Sequence, residues 1–162
     1  MLLLYSQDFT FTTNDYYYND NLKISSILNV FQTVAGDHAE LIGAGYEEMM
    51  KQDIVWMLLN LKCDIIKSFK RGEKITVKTV PQPKGRIGYV RDYYVYNDKN
   101  ELCVKGSSFW CLVSFSKRRL LRPTFEYKGE FADFKAYEQD FERLTPFSVS
   151  QNPAYVCKIL NT

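Results

Sequence analysis

Hydrophobic residues recur at three- and four-residue steps over positions 25–42, the period of an α-helix with one buried face. The stripe consists of Ile27, Phe31, Val34, His38 and Leu41, and it is widened by Leu28, Val30 and Ala35. Gly43 is a typical residue just beyond a helix C-terminus. The pattern therefore predicts one helix over 25–42 with a wide apolar face. Gly36 weakens this helix but would allow the close approach of another backbone.

Beyond Asp53 the period changes to the alternation of β-strands. Strands are predicted over 54–66, 73–80, 87–96 and 102–115, and an extended segment over 2–18. In 54–66 every odd position from Val55 to Ile65 is apolar, and the even positions are apolar only at the start. This pattern predicts a strand that is covered on both faces at one end and on one face at the other.

The order of these elements determines the expected fold. Strands and helices do not alternate after the long helix, so a parallel doubly wound sheet is disfavoured. We expect an α+β domain, with an antiparallel sheet wrapped around one long central helix, over residues 1–123. Residues 124–150 are predicted to be a linker with a short helix near 132–143, and 151–162 to begin a further strand.

Composition narrows the class of protein. The 162 residues are 46% hydrophobic and 25% charged, with a net charge of +2, which is typical of a globular domain and argues against a nucleic-acid binder. The apolar start lacks the basic residues of a secretory signal, and no apolar run approaches the roughly 20 residues of a membrane span. A cytoplasmic protein without a membrane span is expected.

Metal-ligating residues are sparse. The cysteines, Cys63, Cys103, Cys111 and Cys157, form no C-x-x-C pair, and His38 is the single histidine. A multi-histidine metal site is excluded, and buried free thiols are favoured over a zinc or redox site.

Several segments resemble acyl-acyl-carrier-protein thioesterases, in order and spacing, over roughly residues 4–123. They are the helical run Ser25–Ala39, Asp53–Leu58, Arg91-Asp92-Tyr93 with Asp98, Gly106–Trp110 and the basic run Lys117–Pro123. The resemblance implies a hot-dog fold and hydrolysis of the thioester between a fatty acyl chain and acyl carrier protein in fatty acid biosynthesis. It implies no metal and no cofactor.

The family carries two hot-dog repeats, and its chemistry lies in the second, in a strip resembling Asp-x-Asn-x-His-Val-Asn-Asn. This sequence contains no such strip. The resemblance therefore implies that the chain supplies the first repeat, which shapes the acyl pocket. The catalytic residues are expected beyond Thr162, because residues 155–162 resemble the strand that leads into the strip.

Three sets of residues are candidates for function, and each has a plainer interpretation. His38, near Asp37 and Glu40, could act as a general base, but a core histidine is favoured. An acyl pocket is predicted to be lined by Val34, Trp56, Met57, Leu58 and Phe109, which could equally be ordinary core. Docking of the acidic carrier protein is predicted at Lys117, Arg118, Arg119 and Arg122, which could equally form a solvated turn.

Two alternatives stay open. One is a non-catalytic module that binds an acyl group or acyl carrier protein. The other is a dimeric single-repeat hot-dog enzyme that uses His38. A lone sheet of this kind leaves an open edge and an apolar face that a second repeat would normally cover, so without that repeat we expect a homodimer.

Overall fold

The computed structural model describes residues 3–139 and 141. Its elements are β1 (Tyr5–Thr10), a 3-10 turn (Thr13–Asp15), α1 (Ile24–Leu41), α2 (Tyr46–Met50), β2 (Ile54–Ile65), β3 (Lys74–Pro81), β4 (Tyr89–Tyr96), β5 (Leu102–Ser114) and β6 (Arg119–Leu121). The predicted long helix and the four predicted strands are all present, with ends shifted by at most two residues. The short elements α2 and β6 were not predicted.

The strands form one sheet in the order β1-β3-β4-β5-β2, with β6 paired to the end of β5. Every pairing is antiparallel. The apolar stripe of α1 packs on one face of this sheet, where Ile27, Phe31 and Val34 are fully buried. The predicted antiparallel sheet and central helix are thus confirmed.

The helix and the sheet approach each other most closely at Phe31. Its ring stacks on Tyr93 of β4, with centroids 4.3 Å apart and planes 8° from parallel. Gly106 of β5 makes room for it, because a Cβ atom there would lie 2.4 Å from Phe31 Cε2. No segment uses the room at Gly36, since a Cβ atom there would meet nothing within 4 Å.

Strand β2 contains a β-bulge that the hydrophobic pattern did not predict. Trp56 pairs with Leu112 and Leu58 with Trp110, but the register shifts between Leu58 and Asn60. The shift exchanges the faces of odd and even positions. Trp56 before the bulge and Leu61 after it both pack against buried clusters. The prediction of a start covered on both faces is therefore wrong: Met57 is 48% exposed.

Residues 131–137 cover part of the other face of the sheet. Ala136 packs with Val80 and Tyr94, and its N–H donates to the Asp92 carboxylate at 3.1 Å. The helix predicted near 132–143 is absent from residues 132–139, because these contacts hold the chain against the sheet. The strand predicted over 151–162 lies outside the described residues.

The long helix α1 is amphipathic rather than apolar throughout. Within residues 3–139 and 141, no helix combines the length and hydropathy that a bilayer crossing requires.

We predict that Gly106→Ala destabilises the fold by about 1–3 kcal/mol, because the new methyl group overlaps the Phe31 ring. Gly36→Ala is the matched control. It should stabilise by about 0.5–1 kcal/mol, since the position is helical and open and glycine is the poorer helix former. Urea unfolding of both variants measures the difference. Equal effects of the two substitutions would contradict this packing.

Candidate functional site

A cavity of about 320 Å³ lies between α1 and the sheet. Its wall is mostly apolar, with few polar groups, as is common for small-molecule sites. The lining comes from α1, from α2 and the segment leading into it, from β2, β4 and β5, and from the segment after β6. It includes Ala35, Gly36, Ala39, Ala44, Met49, Ile54, Trp56, Tyr89, Arg91, Trp110 and Tyr127.

Hydrogen bonds hold the aromatic part of the wall in place. The indole N–H of Trp56 donates to the Ala44 carbonyl at 2.9 Å. Its ring meets Tyr89 edge-on, with centroids 4.9 Å apart. The Tyr89 hydroxyl donates to the Phe125 carbonyl at 3.1 Å and accepts from the Phe125 N–H at 2.9 Å. The aromatic wall is therefore preorganised.

Arg91 is the buried charged residue of this wall. Its side chain crosses from β4 toward α1, where a guanidinium nitrogen lies 2.9 Å from His38 Nδ1. The same nitrogen donates to Thr79 Oγ1 at 3.3 Å. Because an arginine side chain only donates, His38 Nδ1 must accept, and the histidine proton lies on Nε2.

His38 is consequently a neutral core residue. It is 4% exposed, and its ring stacks on Tyr5 with centroids 5.6 Å apart. Burial, and secondarily the charge of Arg91, lower the pKa of His38 from 6.5 to about 4. With Nδ1 occupied by Arg91, the geometry favours the core interpretation over a general base.

The five residues predicted to line an acyl pocket do not meet at one site. Trp56 lies in the cavity wall, whereas Val34 is fully buried in the main core. Leu58 is half-buried beside the bulge, and Met57 lies on the exposed side of β2. Phe109 lines a different cavity, of about 400 Å³, on the opposite face of the sheet.

The four predicted docking cations do lie together in the chain. Lys117 and Arg118 occupy the turn between β5 and β6, Arg119 begins β6, and Arg122 follows it. All four are exposed. No carboxylate pairs with them among residues 3–139 and 141.

Sequence reasoning missed the most unusual residue of the site. That residue is Arg91, and the adjacent Asp92 does not pair with it. Successive side chains of a strand point to opposite faces, and Asp92 instead accepts from Gln82 Nε2, at 2.8 Å, on the other side of the sheet. The alternation of side chains along a strand could have shown from the sequence that these two charges lie on opposite faces of the sheet.

The described thiols, Cys63, Cys103 and Cys111, are free, and burial raises the pKa of each.

The family follows from comparison with known proteins. A family model described as the acyl-ACP thioesterase N-terminal domain matches residues 3–131. The match covers most of the 162 residues, so the chain belongs to the acyl-ACP thioesterases. It is 25% identical to a palmitoyl-acyl carrier protein thioesterase of Gossypium hirsutum, over 96% of this chain and 40% of that protein. It is 24% identical to oleoyl-acyl carrier protein thioesterase 1 of Arabidopsis thaliana, over 82% of this chain and 38% of that protein.

Solved structures define the fold. The 12:0-ACP thioesterase of Umbellularia californica superposes with a TM-score of 0.73 at 20% identity, over 90% of this chain and 61% of that one. An acyl-ACP thioesterase of Bacteroides thetaiotaomicron superposes with a TM-score of 0.72 at 19% identity, over 91% of this chain and 60% of that one. A DHNA-CoA thioesterase of Staphylococcus aureus superposes with a TM-score of 0.68 at 22% identity, over 75% of this chain and 81% of that one. The predicted hot-dog fold is confirmed. This chain spans about two fifths of the length of the thioesterases of Gossypium hirsutum and Arabidopsis thaliana described above.

We predict that acid destabilises this protein partly through His38. The unfolded histidine has a pKa of 6.5 and the folded one about 4, so the unfolded state binds the extra proton between these values and stability falls as the pH is lowered through this window. The loss is on the order of 3 kcal/mol. In His38→Asn the side chain still offers Arg91 an acceptor but does not titrate.

Urea unfolding at pH 6.5 and at pH 4, the two ends of this window, should therefore show a smaller loss for His38→Asn than for the unsubstituted chain. The carboxylates are the same in both proteins, so their contribution cancels in the comparison. Equal losses would show that His38 is not held neutral.

Proposed function

We propose that this chain forms the acyl-binding repeat of a thioesterase that hydrolyses fatty acyl-acyl-carrier-protein thioesters in fatty acid biosynthesis. The observation that carries this proposal is the apolar cavity between α1 and the sheet. Its rigid aromatic wall, with Trp56 and Tyr89 at its centre, suits an aliphatic chain. The names of the relatives, which act on palmitoyl and oleoyl groups, support the same class of substrate.

We further propose that the hydrolytic residues lie beyond Thr162, where the family resemblance expects them. Thioester hydrolysis needs an activated nucleophile or water, a base and donors for the developing oxyanion. His38 Nδ1 is occupied by Arg91. Burial raises the pKa of the described thiols, and so keeps them in the unreactive protonated form.

The basic turn is proposed to dock the carrier protein. Lys117, Arg118, Arg119 and Arg122 are exposed and near the end of β5. A cluster of exposed cations steers an acidic partner and raises its rate of association. The 6.0 Å contact of Arg118 with the Phe115 ring gives this cluster an adjacent apolar surface.

The edge strand β2 is proposed to be covered in the working protein. It ends the sheet, and its exposed side presents Met57 and Leu59. Open edges and apolar patches of this kind favour association. A second repeat, or a second copy of this chain in a homodimer, would satisfy the unpaired backbone groups.

We predict that residues 1–162 alone turn over an acyl-pantetheine thioester no faster than background, and that His38→Ala leaves this rate unchanged. A longer version that carries a second repeat with the Asp-x-Asn-x-His strip should be active. An acyl-thioester assay that detects the released thiol measures all three. Turnover by the short chain that disappears in His38→Ala would instead establish a single-repeat enzyme. Binding without turnover in both lengths would favour the non-catalytic module.

We predict that Lys117→Glu, Arg118→Glu and Arg119→Glu together weaken binding of acyl carrier protein to the longer version severalfold at low salt. The difference should shrink as salt is added, because exposed charges are screened over about 8–10 Å at physiological ionic strength. Binding is measured by surface plasmon resonance. Lys70→Glu, Arg86→Glu and Lys99→Glu together are the control, with the same change in charge elsewhere on the exposed surface. Equal weakening by the two triple variants would remove the basic turn from the docking site.

A further inference from the structure

The charge of Arg91 is not balanced within the described structure. The residue is 7% exposed, and its protein partners are His38 Nδ1 and Thr79 Oγ1, both neutral acceptors. Among residues 3–139 and 141, no carboxylate oxygen lies within 4.0 Å of its guanidinium. Buried charges are normally paired, because burial without a counter-charge is unfavourable.

The guanidinium also has donors to spare. It carries five N–H groups, whereas its described bonds to His38 and Thr79 both come from one terminal nitrogen, Nη1. Arg91 belongs to the wall of the 320 Å³ cavity. A ligand in this cavity can therefore reach a charged donor that the surrounding protein leaves unneutralised.

Tyr127 adds a second donor to the same wall. Its ring is held edge-on by Tyr89 at 5.9 Å and by Phe125 at 5.2 Å. Burial raises the pKa of Tyr127 to about 12, while the charge of Arg91 acts in the opposite direction. The hydroxyl is thus protonated at neutral pH and can donate a hydrogen bond.

The other charged residue of the cavity wall is Glu40. It is exposed, and its Oε1 accepts from the Tyr46 N–H at 3.0 Å. Its carboxylate is therefore engaged at the solvent side of the cavity. The buried side of the cavity therefore keeps the positive charge of Arg91. An uncharged hydrocarbon in the cavity would not pair with this charge.

We propose that Arg91 and Tyr127 form a carboxylate-binding subsite, so that the cavity takes an aliphatic chain that bears a carboxylate. The guanidinium would pair with one or both carboxylate oxygens, and the Tyr127 hydroxyl would donate to one of them. The inference rests on the proposed function, in that the aliphatic part fills the apolar wall. Such a carboxylate belongs either to a released fatty acid or to the far end of a dicarboxylic acyl chain.

The test is a comparison of three probes of equal chain length, decanoate, decanol and methyl decanoate, by isothermal titration calorimetry. Decanoate should bind about tenfold to a hundredfold more tightly than the two uncharged probes, as expected for charge-assisted hydrogen bonds. Arg91→Met should abolish this preference, so that decanoate and decanol bind this variant with similar affinity. Arg86→Met, an exposed arginine outside this cavity, is the matched control and should leave all three affinities unchanged.

Tyr127→Phe keeps the proposal testable if Arg91→Met fails to fold, because it removes only the hydroxyl and keeps the aromatic ring. It should reduce the preference for decanoate over decanol about twofold to tenfold. Nuclear magnetic resonance of decanoate labelled at the carboxyl carbon gives a second measurement. The pKa of the bound acid should lie below that of the free acid, because a nearby cation favours the ionised form, and should move back toward it in the Arg91→Met variant.

The outcomes separate the carboxylate subsite from the acyl cavity. Equal affinity for decanoate and decanol would overturn the carboxylate subsite but leave the acyl cavity standing. If none of the three probes binds, both the carboxylate subsite and the acyl cavity are overturned. A preference for decanoate that survives in Arg91→Met and in Tyr127→Phe would place the anion elsewhere and overturn this assignment.

The source of the carboxylate is separated with two pantetheine thioesters, decanoyl and ω-carboxydecanoyl. Tighter binding of the ω-carboxy thioester, lost in Arg91→Met, would show that the carboxylate arrives at the far end of the chain. If only free decanoate depends on Arg91, the subsite retains the released acid.

Discussion

The contact of Phe31 with Tyr93 and Gly106 is the constraint on which the rest of the structure depends. The ring of Phe31 stacks on Tyr93 at 4.3 Å, and the absence of a side chain at Gly106 lets the helix reach the sheet. Further along α1, a Cβ atom added to Gly36 would meet nothing within 4 Å. The helix is therefore packed tightly at Phe31, and the cavity opens along the small residues Ala35, Gly36 and Ala39 of the same helix.

Strand β4 links the two faces of the sheet through adjacent opposite charges. Arg91 points toward α1 and the cavity, whereas Asp92 points to the other face and accepts from Gln82 and the Ala136 N–H. Asp92 thereby holds the segment that covers this face. The same strand thus supports the cavity wall and anchors the chain behind it, and neither charge neutralises the other.

The described features of the cavity are those of a ligand-binding site. The aromatic wall is fixed by the hydrogen bonds of Trp56 and Tyr89, which is the preorganisation that a ligand pocket needs. His38, the single histidine, contributes a neutral acceptor to Arg91. This arrangement supports the proposal that the chain binds the acyl group.

The sequence by itself determined the elements and their class. Helical periodicity around Ile27, Phe31 and Val34 and the alternation after Asp53 were enough for the long helix, four of the strands and an antiparallel sheet, because side-chain periodicity follows directly from local backbone geometry. Only the tertiary structure decided which faces meet. The bulge between Leu58 and Asn60 reverses the faces of β2, and it depends on pairing with β5, which no local pattern encodes. The cavity likewise arises where packing stops, and Arg91 reaches His38 across 53 residues of sequence, so both depend on the way distant segments come together.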